Sequence, residues 1–233
     1  MGEKIELVQR LDIIRDYCKG KKVLHLGCTN DPFTEAAIEN GSLLHFEIEK
    51  FAGELYGFDF DQEGLDILAS HGSTNLYRAD LEHLDELDLD TTFDVIVAGE
   101  MIEHLNNPGL FLSGIRRFMS KDTALIITTL SAYCAFRFVR YGLTKNHGRH
   151  EPVHPDHVAY YSYATLNLLV KHHGLDVDKF MFYDLGTEYR SVTPLFFRII
   201  NDLSVRFAPQ YADGVIAICK LPQSGSQDGS TKV

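Results

Sequence analysis

The chain has 233 residues, 45% of them hydrophobic and 24% charged, which is ordinary for a globular protein with a sizeable core. Its formal net charge of −11 argues against a general nucleic-acid surface or an anionic-membrane surface, since either needs a basic face, while leaving room for a local basic patch. Four cysteines (Cys18, Cys28, Cys134 and Cys219) stand far apart with no Cys-x-x-Cys pair, so neither a zinc ribbon nor a thioredoxin-type site is indicated. The N-terminus lacks the apolar core of a signal peptide and no apolar run reaches spanning length, so a cytoplasmic protein without membrane insertion is expected.

Residues 4–18 carry Ile5, Val8, Leu11, Ile13 and Ile14 mostly at helical spacing, which predicts an amphipathic helix ended by the turn at 19–22. The stretch from Lys22 to Pro32 then organises the rest. Val23, Leu24 and Leu26 make a short apolar run of the kind found in a central parallel strand, and Gly27 supplies a tight turn. Asp31 offers an N-cap oxygen, Pro32 fits a first helical position, and Gly41 closes the helix. Strand, glycine turn and helix is how a doubly wound fold seats a ligand at its switch point. A dinucleotide would want G-x-G-x-x-G, but Thr29 and Pro32 occupy the later glycine positions. A helix start capped by an aspartate is a poor seat for a diphosphate. It tolerates a phosphate-free ligand bearing a sulfonium and an ammonium, such as S-adenosylmethionine.

The string Val23-Leu24-His25-Leu26-Gly27-Cys28 resembles the first motif of class I S-adenosylmethionine-dependent methyltransferases, with His25 where an acidic residue is usual and Thr29 and Asp31 where further glycines are usual. Leu43–Ala52 reads as an added helix, and Leu55–Asp59 as the second strand. Asp59 falls 32 residues after Gly27 rather than the about 20 of a minimal unit, and the added helix accounts for the excess. A carboxylate at that strand end can accept hydrogen bonds from ribose hydroxyls, while Asp61 caps the next helix. Leu76–Leu81 reads as the third strand and its exit; the resemblance implies that Asp80 and Leu81 meet the adenine. Phe93–Ala98 is the fourth strand. "FDVIVAGEMIEHLNNP" closely resembles the fourth motif of small-molecule methyltransferases of the ubiquinone-biosynthesis-like branch. Asn107 and Pro108 start a helix with Phe111, Leu112, Ile115, Phe118 and Met119 inward, and Ala124–Thr129 is the fifth strand.

Residues 131–160 are irregular, rich in aromatic and histidine residues, and locally basic, with Arg137, Arg140, Lys145 and Arg149 against Glu151 and Asp156. Such a segment reads as a lid on the acceptor side. Ser162 caps a helix ended by Gly174, Val177–Leu185 is a sixth strand, Pro194–Phe207 an amphipathic helix, and Gly214–Cys219 a last strand. The expected fold is α/β: a doubly wound, mostly parallel seven-stranded sheet with helices on both faces and the last strand antiparallel beside the fifth. Residues 1–221 are expected to form one domain and 222–233 a disordered tail.

Methyl transfer needs positioning and removal of one proton from the acceptor. The catalytic candidates are His104, His154 and His157. The expected cofactor-side residues are His25, Gly27, Cys28, Thr29, Asp59, Phe60, Asp80, Leu81, Gly99 and Glu100. Glu103, Arg137, Arg140 and Tyr160 are expected to face the acceptor. The histidines of residues 147–157 lie in a proline-containing loop with no standard ligand spacing, so no metal is expected. The expected partner is a small-molecule acceptor with a hydroxyl or amine, sugar-like or anionic, and no nucleic acid; the sequence leaves the oligomeric state open. The alternatives are a non-catalytic nucleoside-binding module of this fold and a nicotinamide-dependent oxidoreductase.

Overall fold

Strands that are apolar on both faces can only lie in the middle of a covered sheet. Leu24, Leu26, Ile96 and Ala98 pack into one core layer, while Val23, Val95, Val97 and Ile126 pack into another on the opposite face. The computed structural model describes residues 6–143 and 155–223. In chain order its elements are β1 (Leu7–Val8), α1 (Arg10–Cys18), β2 (Lys22–Leu26), α2 (Thr34–Glu39), α3 (Leu44–Glu49), β3 (Glu54–Asp59), α4 (Gln62–Ser70), β4 (Leu76–Arg78) and β5 (Phe93–Gly99). There follow α5 (Pro108–Ile115), β6 (Met119–Leu130), α6 (Ala135–Leu143), α7 (Tyr163–His172), β7 (Asp176–Tyr183), α8 (Gly186–Tyr189), α9 (Leu195–Phe207) and β8 (Gly214–Lys220).

The sheet runs β1-β7-β8-β6-β5-β2-β3-β4. β8 is antiparallel to both β6 and β7, and the other pairings are parallel. The chain builds outward from β2 through β3 to β4, then returns to β5 on the other side of β2. The crevice at the carboxyl ends of β2 and β5 is therefore the topological switch point. The expected architecture holds, with an eighth strand added at the edge. That strand comes from the predicted N-terminal helix: Leu7 and Val8 pair with Phe182 and Tyr183, and the helix begins only at Arg10.

One local expectation at the switch point fails. Asp31 is exposed, and α2 starts at Thr34 with no side-chain cap from Phe33. The Thr34 hydroxyl accepts the Asn30 N–H, and the Phe33 N–H donates to the Asn30 carbonyl. The chain thus completes a turn over 30–33 before it coils. Asp61 does cap α4, accepting the Gly64 N–H at 2.9 Å, and Ser162 with Thr165 forms a full capping box on α7. All four cysteines are free and buried. Among the described residues, no helix is long and apolar enough to cross a membrane.

Candidate active site

Two loops meet at the switch point. After β2 the backbone turns at Gly27 with φ +67°, a region that side-chain-bearing residues rarely enter, and a Cβ there would stand 3.3 Å from Cβ of Met101 in the loop after β5. Across the crevice Asp59 ends β3. One of its carboxylate oxygens accepts the Thr29 N–H at 2.9 Å and the other accepts the Asp61 N–H at 3.0 Å. The carboxylate therefore straps the Gly27–Thr29 turn to the β3 exit. Each oxygen keeps a lone pair for a further donor. Next to it the Phe60 ring is 62% exposed, with the Arg78 guanidinium 5.0 Å from its centroid. Asp80 lies exposed beyond β4 and accepts its own loop's Glu82 N–H, with Leu81 beside it partly buried.

Two cofactor-side expectations change character. His25 is only 2% exposed and occupies the same face of β2 as Val23, so it points into the sheet's packing and away from the crevice. Its ring stacks on His45 of α3 with the two Nδ1 atoms 3.2 Å apart, one donating and the other accepting. Burial, and then the facing His45 and Arg10, push its pKa well below the usual imidazole range. Cys28 is likewise buried in the layer with Leu65 and Leu68, and burial followed by the Asp59 charge pushes its thiol pKa far up. Only the backbone of Cys28 lies on the turn.

The loop after β5 holds a charged cluster. Glu100 takes a left-handed backbone, φ +56°, a conformation costing about 1–3 kcal/mol in a non-glycine residue. Arg10 from α1 approaches its carboxylate at 3.3 Å, the Tyr183 hydroxyl donates to it at 2.6 Å, and the Tyr189 hydroxyl of α8 donates to the other oxygen. Burial would raise this carboxyl's pKa, but Arg10, the two tyrosine hydroxyls and the nearby Arg137 outweigh it and hold the pKa below the usual range. Tyr183 reaches Glu100 because its ring lies directly over Gly214, where a Cβ would run into the ring. Glu100 is thus part of a buried scaffold beside Gly99. Arg137, expected to face an acceptor, is tied to buried Asp213 at 2.6 Å through Nη1, and Nη2 donates to the Asp213 carbonyl.

Three residues on, Glu103 is 1% exposed and neither of its oxygens has a hydrogen-bond partner among the described residues. The nearby Thr129 hydroxyl favours its charged form without meeting hydrogen-bond geometry. Burial, then the Glu100 charge, push the Glu103 pKa to about 8. Tyr161, buried above it, has its phenol pushed to about 12 by burial and by the Glu103 charge.

The 131–160 segment, expected to be irregular, contains α6, and its described end, residues 155–160, runs along this loop. The Val158 N–H donates to the Glu103 carbonyl, Ser131 bridges Tyr161, and the ring of His157 meets the ring of His104 edge to face at 4.5 Å. His104 is exposed beside this contact, Tyr160 is exposed on the 155–160 stretch, and Arg140 is exposed on α6. Two candidate histidines far apart in sequence are therefore neighbours. His154, with the rest of the 147–154 stretch, lies outside the described residues, as does the tail from 224 onward.

A family model described as "Methyltransferase domain" matches residues 6–179, more than half of the chain. Among curated relatives, the ubiquinone biosynthesis O-methyltransferase of Hahella chejuensis is 26% identical over 129 residues, covering 52% of this chain and 49% of that protein. The mitochondrial ubiquinone biosynthesis O-methyltransferase of Schizosaccharomyces pombe is 24% identical over 144 residues, covering 60% and 48%. The chain thus spans about half the length of the curated relatives it matches. Among solved structures, a SAM-dependent methyltransferase from Archaeoglobus fulgidus superposes with a TM-score of 0.55 at 21% identity, over 91% of both chains. Magnesium protoporphyrin IX methyltransferase from Synechocystis PCC 6803, solved with bound SAH, gives 0.51 at 13% identity over 91% of this chain and 82% of that one. With the family match, the sheet order and the Gly27–Asp59 crevice agreeing, the chain belongs to the methyltransferase domain family and has the fold of class I S-adenosylmethionine-dependent methyltransferases.

Proposed function

We propose that the chain binds S-adenosylmethionine in the crevice between Gly27, Asp59, Phe60 and Gly99, and directs its methyl to a hydroxyl of a small acceptor at the His104–His157 mouth. The observation that carries the reading is the Asp59 carboxylate, held by two backbone N–H groups at a strand end with acceptor capacity to spare for two vicinal hydroxyls. The exposed Phe60 ring beside it offers a flat apolar surface for a base. The Thr29–Phe33 turn offers neither a glycine-rich cradle nor a basic side chain, which favours a ligand without a diphosphate.

When bound, S-adenosylmethionine supplies a methyl already activated on a sulfonium, so the chain's own task is to place the acceptor and manage its proton. His104 lies just past β5, and His157, brought beside it by the lid segment, steadies the ring that takes the proton. Glu103, neutral at physiological pH, holds no charge that would repel an anionic acceptor. Exposed Arg140 on the lid segment gives such an acceptor a counter-charge. Anionic or sugar-like acceptors therefore suit the mouth. Oxygen rather than nitrogen is favoured by the names of the curated relatives, both O-methyltransferases.

The test is a methyl-transfer screen with labelled S-adenosylmethionine against hydroxylated acids, sugars and phenols. Transfer of label to an oxygen, lost in His104→Ala, supports the reading. Tight cofactor binding with no transfer to any of them would point to the non-catalytic module.

A further inference from the structure

α9 packs on the body of the protein with the wrong face. Phe197 and Ile200 turn inward onto Phe136 and Leu185, and Asn201 is buried, donating to Asp184 at 2.6 Å. The apolar stripe that makes the helix amphipathic points outward. Leu195, Phe196, Ile199, Leu203 and Phe207 follow one another at helical spacing along one side of the rod, and all are exposed, Phe207 at 86%. On α6, the helix that α9 packs against, Phe138 is 79% exposed. A run of large apolar side chains of this extent on a water-facing surface marks an interaction site.

Its occupant can be chosen from the charges around it. Arg206 sits within the stripe and makes no ion pair among the described residues. Arg198 flanks the stripe and likewise makes no ion pair among the described residues, while the one acid on α9, Asp202, is already bound by Arg190 at 2.6 Å. On a chain of net charge −11, two unpaired arginines give this face a local positive excess. A second copy would bring the same sign to the interface. A phosphate-bearing lipid surface brings the opposite one, and it accepts a convex apolar stripe without needing a matching groove.

We infer that α9 is an interfacial membrane helix: it lies in the headgroup layer of an anionic bilayer, its apolar stripe dipped among the acyl chains and its arginines on the phosphates. The overall charge that argues against an anionic-membrane surface is an average, and this face departs from it. The helix is coupled to the candidate site through Arg190 and Tyr189, the latter bonded to Glu100. The inference rests on exposure and charge alone and stands apart from the proposed chemistry.

The test is vesicle flotation of the full chain with phosphatidylcholine vesicles, with and without phosphatidylglycerol, beside sedimentation velocity without lipid. Flotation with the anionic vesicles is expected to exceed that with neutral ones. It should weaken with salt and fall about tenfold or more in Phe196→Ser/Phe207→Ser, whose melting temperature checks that it is folded. Arg206→Glu supplies a second variant that leaves the apolar stripe intact, and it should lose the preference for anionic lipid. No flotation with either vesicle, equal flotation of the double variant, or a wild-type dimer that the double variant splits would each overturn the inference.

Discussion

Glu100 and Glu103 stand three residues apart on one loop, and their surroundings drive their carboxyl groups in opposite directions. Glu100 is ionised, with Arg10 and two tyrosine hydroxyls on its oxygens. Glu103 is buried without a partner among the described residues and is held neutral up to about pH 8, in part by the negative charge of Glu100 itself. One loop therefore carries both a fixed charge and a neutral buried acid.

Glu103 makes stability depend on pH. Its folded-state pKa, about 8, lies above the unfolded value of 4.5. The folded form therefore binds the extra proton, and this contribution is fully present below pH 4.5 and lost as pH rises toward 8. Glu103→Gln should flatten that slope and raise stability at pH 8 by about 1–4 kcal/mol relative to wild type. Denaturant melts at pH 5 and pH 8 read the difference; an unchanged slope would contradict the assignment.

Arg10 should be costly to remove. Arg10→Met leaves Glu100 largely buried without its cation, at about 3–5 kcal/mol. The double variant Arg10→Met/Glu100→Gln should recover much of that loss, because the surviving charge is gone as well. A double-mutant cycle in urea measures the coupling, and additive losses would show that the pair is not coupled.

Gly214→Ala should break the same cluster from behind. A methyl there meets the Tyr183 ring, which must tilt away and take its hydroxyl off Glu100. The expected cost is about 2–3 kcal/mol, as for overpacking in a core. Tyr183→Phe keeps the ring and loses only the hydrogen bond, so it should cost about 1–2 kcal/mol. Equal losses in the two variants would place the strain elsewhere.

The two histidines at the mouth divide by readout. His104→Ala should lower kcat by about 10²-fold or more with little change in affinity for S-adenosylhomocysteine. His157→Ala should lower it less and move the alkaline or acid limb of the pH–rate profile, since it acts on the ring of His104. A His157 variant with a wild-type profile would reduce that contact to packing.

The strands and the switch point were legible because they are written locally, in short apolar runs and one glycine. Asp59 was legible for the same reason, once the α3 insertion explained its distance from Gly27. The polar scaffold was not. Arg10, Glu100, Tyr183 and Asp213 are far apart in sequence, and only the folded sheet brings them together. A trace of it was present: the buried face of α1 is Arg10–Ile14–Cys18, spaced by four, so a charge stood in an apolar register. Strand alternation alone sets His25 on the face of Val23, away from the crevice, whatever the family pattern places at that position. Asp31 failed as a cap because the chain first closes a turn over 30–33, tied by the Asn30 N–H on the Thr34 hydroxyl, so the helix starts three residues later. The outward stripe of α9 was beyond reach, because periodicity locates an apolar face without saying where it points.

The most direct measurement is calorimetric titration of the full chain with S-adenosylhomocysteine, in wild type and in Asp59→Ala. Saturable one-to-one binding is expected, weakened in the variant by about 1–3 kcal/mol as ribose donors lose their acceptor, with NADH giving no heat. Absent binding in a folded wild-type chain, or the same affinity in both proteins, would contradict the placement of the cofactor between Gly27 and Asp59.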